Sequence, residues 1–206
     1  AYTWSKDLTD ASAYNSTGDA IEGLDRHFNY GPASHDRRHI FVGTYTYRIP
    51  LLRDRRGIVG TAFGRWEISG ITRFQSGALL TPTGSSFIPG TRRSSYIGGP
   101  VALPSDQRGP DLWFNTAAFT NAPPAALGNA GVGIIQAPGW ENWDVSLRKN
   151  FRVREGWNLG FTADAFNVMN HVNFDDPNVS TSNSAFGTIS TSQPARNIQF
   201  GLRFSF

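Results

Sequence analysis

Four histidines, His27, His35, His39 and His171, are the first residues to weigh for chemistry, since imidazole is the commonest metal ligand and proton carrier. None has a partner at a recognised ligand spacing, and three of them fall in or beside one polar stretch. His35 with Asp36 and His39 could line an ion site, but a solvated loop network fits the spacing better. Asp36, Arg37 and Arg38 then read as charged hydrogen-bonding groups that pin this loop where it enters a strand. Asp175 and Asp176 form a carboxylate pair of the kind that serves acid/base work or calcium. They precede Pro177, however, and Asp before Pro is a common turn opening. Cysteine is absent, so thiolate ligation and disulfides are excluded. No nucleophile elbow or phosphate-binding loop occurs, and the glycine-rich run from Gly128 to Gly133 does not lie between a strand and a helix. The expectation is a chain with no catalytic, cofactor-binding or metal-ligating residues, and not an enzyme.

Charge points elsewhere too. The formal net charge is +3, and lysine occurs only at Lys6 and Lys149, so arginine supplies most of the positive charge. One cluster, Arg53, Arg55 and Arg56, stands out, but the remaining arginines are scattered instead of gathered on one patch. That scatter argues against a nucleic-acid partner.

The elements that must carry these side chains are strands. From Asn197 to Phe206 alternation is unbroken: Ile198, Phe200, Leu202, Phe204 and Phe206 on one face, Asn197, Gln199, Gly201, Arg203 and Ser205 on the other. From Asn142 to Val153, Trp143, Val145, Leu147, Phe151 and Val153 oppose Asn142, Asp144, Ser146, Arg148, Asn150 and Arg152. Lys149 interrupts the apolar side, near a strand end from which a long side chain can snorkel. Trp157, Leu159, Phe161, Ala163 and Ala165 follow the same rule, and the link Arg154-Glu155-Gly156 joins the two strands as a hairpin. A less regular hairpin precedes them. Phe41, Gly43, Tyr45, Tyr47 and Ile49 alternate with Val42, Thr44, Thr46 and Arg48, a basic turn runs from Arg53 to Gly60, and a strand carries Trp66, Ile68, Gly70 and Phe74, with Ile71 out of pattern. Tyr2 to Ser5 reads as the tail of one more strand, which makes about six.

Trp4, Trp66, Trp143 and Trp157 fall on the apolar faces, where aromatic girdles of a membrane barrel would lie. Glu67, Arg73, Asp144, Arg148, Arg152, Asp164 and Arg203 fall on the opposite faces. They read as a lumen-facing charged ladder in which Glu67 and Asp164 pair with the arginines. Trp113 and Trp140 fall in the largest loop and are expected to pack it against the barrel mouth. Connections alternate between short turns and three long loops: Lys6 to Arg38, Ser76 to Gly139 and Asn170 to Pro194. Long loops on one side and short turns on the other are the habit of outer-membrane barrels. No apolar run is long enough for a transmembrane helix, but a spanning strand needs only about 9–11 residues. Six strands leave two open edges, and unpaired edge groups in hydrocarbon cost several kcal/mol each. The expected fold class is therefore all-β, an antiparallel up-and-down transmembrane β-barrel that is incomplete in residues 1–206, with its earlier strands in a longer polypeptide. The chain begins at Ala1 with no signal-peptide pattern, and Ala1 is read as a point reached by processing, cloning or fragmentary sequencing. A soluble secreted β-sandwich that binds carbohydrate is the alternative.

The ending supplies a motif. Gln199, Gly201, Phe204 and Phe206 match a polar residue, glycine, aromatic and terminal aromatic at the spacing of a C-terminal β-signal, which is similar to the signal read by the barrel assembly machinery through strand addition. Gly201 would allow close backbone approach. Further stretches widen the likeness: Tyr2-Thr3-Trp4-Ser5-Lys6, Asp36-Arg37-Arg38-His39, Trp113-Phe114-Asn115-Thr116-Ala117-Ala118-Phe119, Gly128-Asn129-Ala130-Gly131, Asn142-Trp143-Asp144-Val145-Ser146-Leu147, Phe166-Asn167-Val168-Met169-Asn170-His171 and Phe186-Gly187. In this order they resemble the C-terminal barrel portion of the Oar-like TonB-dependent receptors, proteins that often carry a carboxypeptidase-regulatory-like domain. The resemblance implies a barrel of about 22 strands around a plug, outer-membrane lipid around it, a TonB complex reached through the absent N-terminal part, and a bulky substrate contacted by the long loops.

Overall fold

The computed structural model describes residues 1–10, 26–52, 57–85, 93–124 and 126–206. The arginine cluster at positions 53, 55 and 56 lies outside them. Six strands form one antiparallel sheet in chain order: β1 (Tyr2–Trp4), β2 (His39–Arg48), β3 (Glu67–Gln75), β4 (Trp140–Arg154), β5 (Trp157–Phe166) and β6 (Asn197–Ser205). Each strand pairs with its sequence neighbours, so the sheet is an up-and-down meander. β1 and β6 are its edges.

Period-2 patterning sets the register. Phe41 pairs with Phe74 and Tyr47 with Ile68; Leu147 pairs with Ile68 and with Ala163; Ala163 pairs with Phe200. At these positions apolar side chains meet apolar side chains, which a one-residue slip would undo. Ile71, out of pattern in the sequence, sits between Thr44 and Asp144 on the polar face. The β4–β5 connection is a tight turn at Glu155 and Gly156, with a register shift between Arg152 and Arg154. At 15 residues β4 is the longest strand and begins at Trp140, so this tryptophan opens the strand and is not a loop residue.

The β2–β3 connection departs from a simple basic turn. It contains α1 (Ile58–Phe63), a six-residue helix. Together with the β4–β5 turn and the end of β6, α1 occupies one end of the sheet. The long connections occupy the other end and are held by short ladders, Leu8–Thr9 with Gly31–Pro32, Leu79–Leu80 with Ile135–Gln136, and Ser95–Tyr96 with Phe119–Thr120.

The buried apolar core lies in these connections and not on the sheet. Phe114, Ala118, Phe119, Ala130 and Ile135 form it, with Leu80, Tyr96, Trp113, Val179 and Phe186 packed around. Among the described residues only α1, at the hairpin end, lies over the apolar face of the sheet, and no second layer covers the rest: Trp4 is 59% exposed, Phe200 74% and Phe206 91%. A β-sandwich would bury that face, so the alternative architecture does not hold.

Candidate functional site: a two-faced wall and its loop cap

The apolar face is continuous from β1 to β6. Its rings interlock edge to face, with Phe74 against Trp143 at 4.9 Å, Trp66 against Phe161 at 5.8 Å and Trp157 against Phe204 at 5.2 Å. The four girdle tryptophans separate into two levels. Trp4 pairs with His39 and Trp143 with Thr72 toward the loop end, whereas Trp66 and Trp157 stand at the hairpin end, beside the first residues of β3 and β5. Along β4, Trp143 and Lys149, whose ammonium lies 5.1 Å from the Trp66 ring, are six positions apart, about 20 Å at a strand rise of ~3.4 Å. That spacing approaches the height of the apolar band of a membrane barrel, about 25 Å. Water-soluble monomers rarely leave so large an apolar surface uncovered, because each Å² held in water forgoes about 25 cal/mol.

Lys149 does not snorkel. It is 4% exposed, and its ammonium donates to the carbonyl oxygens of Ala62 and Gly64 at 2.9 and 2.5 Å. The charge lies 5.1 Å from the Trp66 ring and 4.9 Å from that of Phe151. α1 covers it, a cover that the alternating pattern does not mark.

The polar face carries all seven residues of the charged set, but not as the ion-pair ladder expected of them. Glu67 accepts from Arg48 Nε at 3.0 Å, a residue absent from the predicted set, while Arg148 donates to Ser146 Oγ at 3.1 Å. Arg73 lies over the Trp140 ring at 5.1 Å. Asp144 accepts the backbone N–H of Asn167 at 3.0 Å, and Asp164 faces Ser146 and Gln199 across the ladder. Arg48 on β2 and Arg148 on β4 both stand directly opposite Glu67; the carboxylate takes Arg48 while Arg148 turns along its own strand to Ser146, and Arg73 is displaced along the strand. Near the hairpin end a groove of about 850 Å³ takes Arg48, Arg148, Arg152 and Arg203 into its walls, with Asn150 and Asn158. Arg65 and Lys149 border the same groove, and this excess of cations over the single carboxylate of Glu67 gives the region a positive field that attracts anions.

The loop cap is built from the stretches that sequence analysis singled out. Asn115 accepts from Ala117 N at 3.2 Å and donates to Pro100 O at 2.9 Å, which starts the short 3₁₀ turn Thr116–Ala118 and aims Phe114 and Phe119 inward. Phe186 closes on Phe114 at 5.2 Å. Asn129 accepts from Tyr96 N at 2.7 Å, and beside it any Cβ on Gly128 would lie 2.0 Å from the Arg93 carbonyl oxygen. Trp113 donates to Gln136 O at 2.8 Å, so it ties the cap to itself.

At the foot of the cap, Asn167 adopts φ 49° and Asn170 φ 53°, a conformation asparagine tolerates better than most residues. The Asn167 amide donates to His171 O and accepts from His171 N, at 2.9 and 3.0 Å. Asn173, buried, does the same for Glu141, bonding its N–H and its carbonyl at 2.8 Å each. A side chain here replaces the neighbouring strand that β5 no longer provides, and sequence reading missed it. The histidines go to separate partners: His35 to Asp7 at 2.8 Å, His39 to Tyr2 at 2.8 Å and His171 to Glu141 at 3.1 Å. His27 sits in the 3₁₀ turn Arg26–Phe28. Asp36 is buried, with Ser5 Oγ at 3.5 Å and Arg38 Nε at 4.0 Å. Asp175 accepts from Gln193 Nε2 at 2.5 Å. Hydrogen bonds from the Thr191 and Gln193 side chains, Thr191 foremost, hold its carboxyl below the usual range.

Among the described residues β6 pairs only with β5, and its other edge is open. Gln199 lies opposite Asp164 and Gly201 opposite Thr162. Among the described residues no backbone lies close against Gly201, since a Cβ there would meet only Thr162 at 3.9 Å. Phe204 and Phe206 join Trp157 in an aromatic cluster at the hairpin end. A family model described as an outer membrane beta barrel domain matches residues 1–199. A search of curated proteins and a search of solved structures each returned no match.

Proposed function

Since the chain belongs to the outer membrane beta barrel domain family, we propose that it forms the C-terminal wall of a TonB-dependent receptor of the Oar-like kind, which carries a bulky substrate across the outer membrane. The reading is of a binding and transport protein, not an enzyme. The observation that carries it is the two-faced sheet: an uncovered apolar side, a hydrophilic and largely basic opposite side, and every long connection gathered at one end. An aqueous lumen needs the hydrophilic side, and substrate discrimination needs a shaped cap such as the loops provide. The stretches that resemble the receptor family supply this cap and its foot, which supports the finer reading over a simple diffusion pore.

Closing the wall requires strands on both open edges. We place them in the preceding part of the same polypeptide, with the plug and the segment that meets the TonB complex. β6 has the pattern and the free edge for recognition by the barrel assembly machinery, with Phe204 and Phe206 as the docking side chains and the small Gly201 leaving room for a partner backbone.

The test is uptake by cells that carry the whole receptor polypeptide, screened over candidate substrates with and without a functional TonB complex. Transport that needs both the receptor and TonB is the expected result. Passage that is indifferent to TonB, or detergent-stable oligomers of residues 1–206 alone, would overturn the assignment.

A further inference from the structure

We propose that α1 is a membrane-interface anchor that seats the barrel in the periplasmic leaflet, with its apolar side chains among lipid and Arg65 and Arg154 among phospholipid headgroups. The inference goes beyond transport and rests on the barrel reading.

Six residues are too few for a helix to hold itself together in water. α1 is held from outside. Lys149 Nζ donates to Ala62 O and Gly64 O, and Trp66 Nε1 donates to Ala62 O at 3.2 Å. These bonds satisfy carbonyl oxygens at the helix C-terminus with a cation, the favourable sign for that end. They also decide where α1 lies. Lys149 pairs with Phe161 in the ladder, so it projects from the apolar face. A helix bonded to its ammonium is therefore folded back over that face at the hairpin end.

What α1 turns outward is the wrong surface for water. Gly60 is its buried residue, while Ile58 is 87% exposed and Phe63 65%, with Val59 and Leu51 also exposed. An amphipathic helix in water shows the reverse arrangement. Helices that lie in the plane of a membrane interface combine apolar side chains on one side with basic ones nearby. Both basic groups are present. Arg65 is exposed just past the helix, and the Arg154 guanidinium lies 3.7 Å from the Trp157 ring on the neighbouring turn. Short turns of outer-membrane barrels are periplasmic, which assigns the leaflet.

The experiment uses the whole receptor polypeptide with phenylalanine 63 replaced, F63C, labelled with bimane and reconstituted into phosphatidylcholine vesicles with or without phosphatidylglycerol. Residues 1–206 contain no cysteine to compete for label. F200C, on the apolar face of β6, is the reference, and I58C repeats the measurement should F63C fail to fold, as judged by heat-modifiable gel mobility. At position 63, quenching by a spin label at glycerol depth should exceed that by one at the acyl-chain end by about twofold. It should rise further with phosphatidylglycerol. Position 200 should respond more to the deep label. Iodide quenching at 63 with none from lipid, while 200 still responds to lipid, overturns the anchor and leaves the barrel standing. Equal quenching in the two vesicles overturns the headgroup assignment of Arg65 and Arg154. Loss of lipid quenching at both positions overturns the barrel reading as well.

Discussion

Asn167 shows how one side chain can govern the junction between wall and cap. It combines a left-handed backbone with two hydrogen bonds to the His171 backbone, and its own N–H is taken by Asp144. Asn167→Ala removes these side-chain bonds together with a longer one to Pro194 O at 3.4 Å and adds backbone strain, so a loss of about 1–3 kcal/mol is expected, as for buried polar groups left unpaired. Asn167→Gly should recover part of it by relieving the backbone alone. Equilibrium unfolding of the whole polypeptide in detergent measures both. Asp175 offers a pH-dependent counterpart. Its folded-state pKa is lowered, by hydrogen bonds from Thr191 first and Gln193 second. A depressed carboxyl stabilises the fold above its unfolded pKa, here near 3.8, and that contribution is lost as pH falls through the folded value. Asp175→Asn should therefore lower the melting temperature slightly at neutral pH, and the gap should close in acid below that value. A gap that stays constant down to pH ~2 would show that the carboxylate charge has no part in bracing the loop.

At the scale of elements, the sheet was legible because its signal is periodic. Every strand from β2 to β6 lies within two residues of the stretch that alternation marks, since a strand with one greasy face must alternate. α1 was not legible: six residues beside a run of arginines carry too few turns for a 3.6-residue period to show. The burial of Lys149 was hidden for the same reason, as the group that covers it lies outside its own strand. The cap core escaped prediction because Phe114, Phe119, Ile135 and Phe186 come from aperiodic segments far apart in sequence. The motifs around them were visible as motifs, but not as a core. The charged set was placed on the right face by parity alone, while its pairing depended on which strand stands opposite which, and parity does not contain that information. One paired substitution tests the face assignment. Phe200 sits near the middle of β6 on the apolar side and Gln199 beside it on the polar side. Phe200→Arg should cost about 2–4 kcal/mol in bilayer folding titrations, the range for arginine near the membrane midplane, while Gln199→Arg should cost under about 1 kcal/mol. Equal costs at the two positions would mean that lipid does not touch one face alone.

For the whole molecule, polarity is the remaining consequence of the topology. The sheet has a loop end, with the cap and its core, and a hairpin end, with α1, the β4–β5 turn and the aromatic cluster around Trp157. An outer-membrane barrel threads its strands so that short turns stay on the periplasmic side, and the cap then faces the medium. The physical asymmetry is the same one that separates the two ends here. A cap with a Phe114–Phe119–Phe186 core and buried asparagines is a folded body that tolerates exposure, whereas α1 presents apolar side chains that need a leaflet. Two single-cysteine forms of the whole barrel polypeptide read this directly on intact cells. Ser182→Cys lies in the cap and Glu155→Cys in the β4–β5 turn. A membrane-impermeant maleimide should label position 182 on intact cells and position 155 only after the outer membrane is permeabilised. Labelling of 155 on intact cells would invert the barrel. The cap would then face the periplasm, and the loops could no longer be the surface that meets an external substrate.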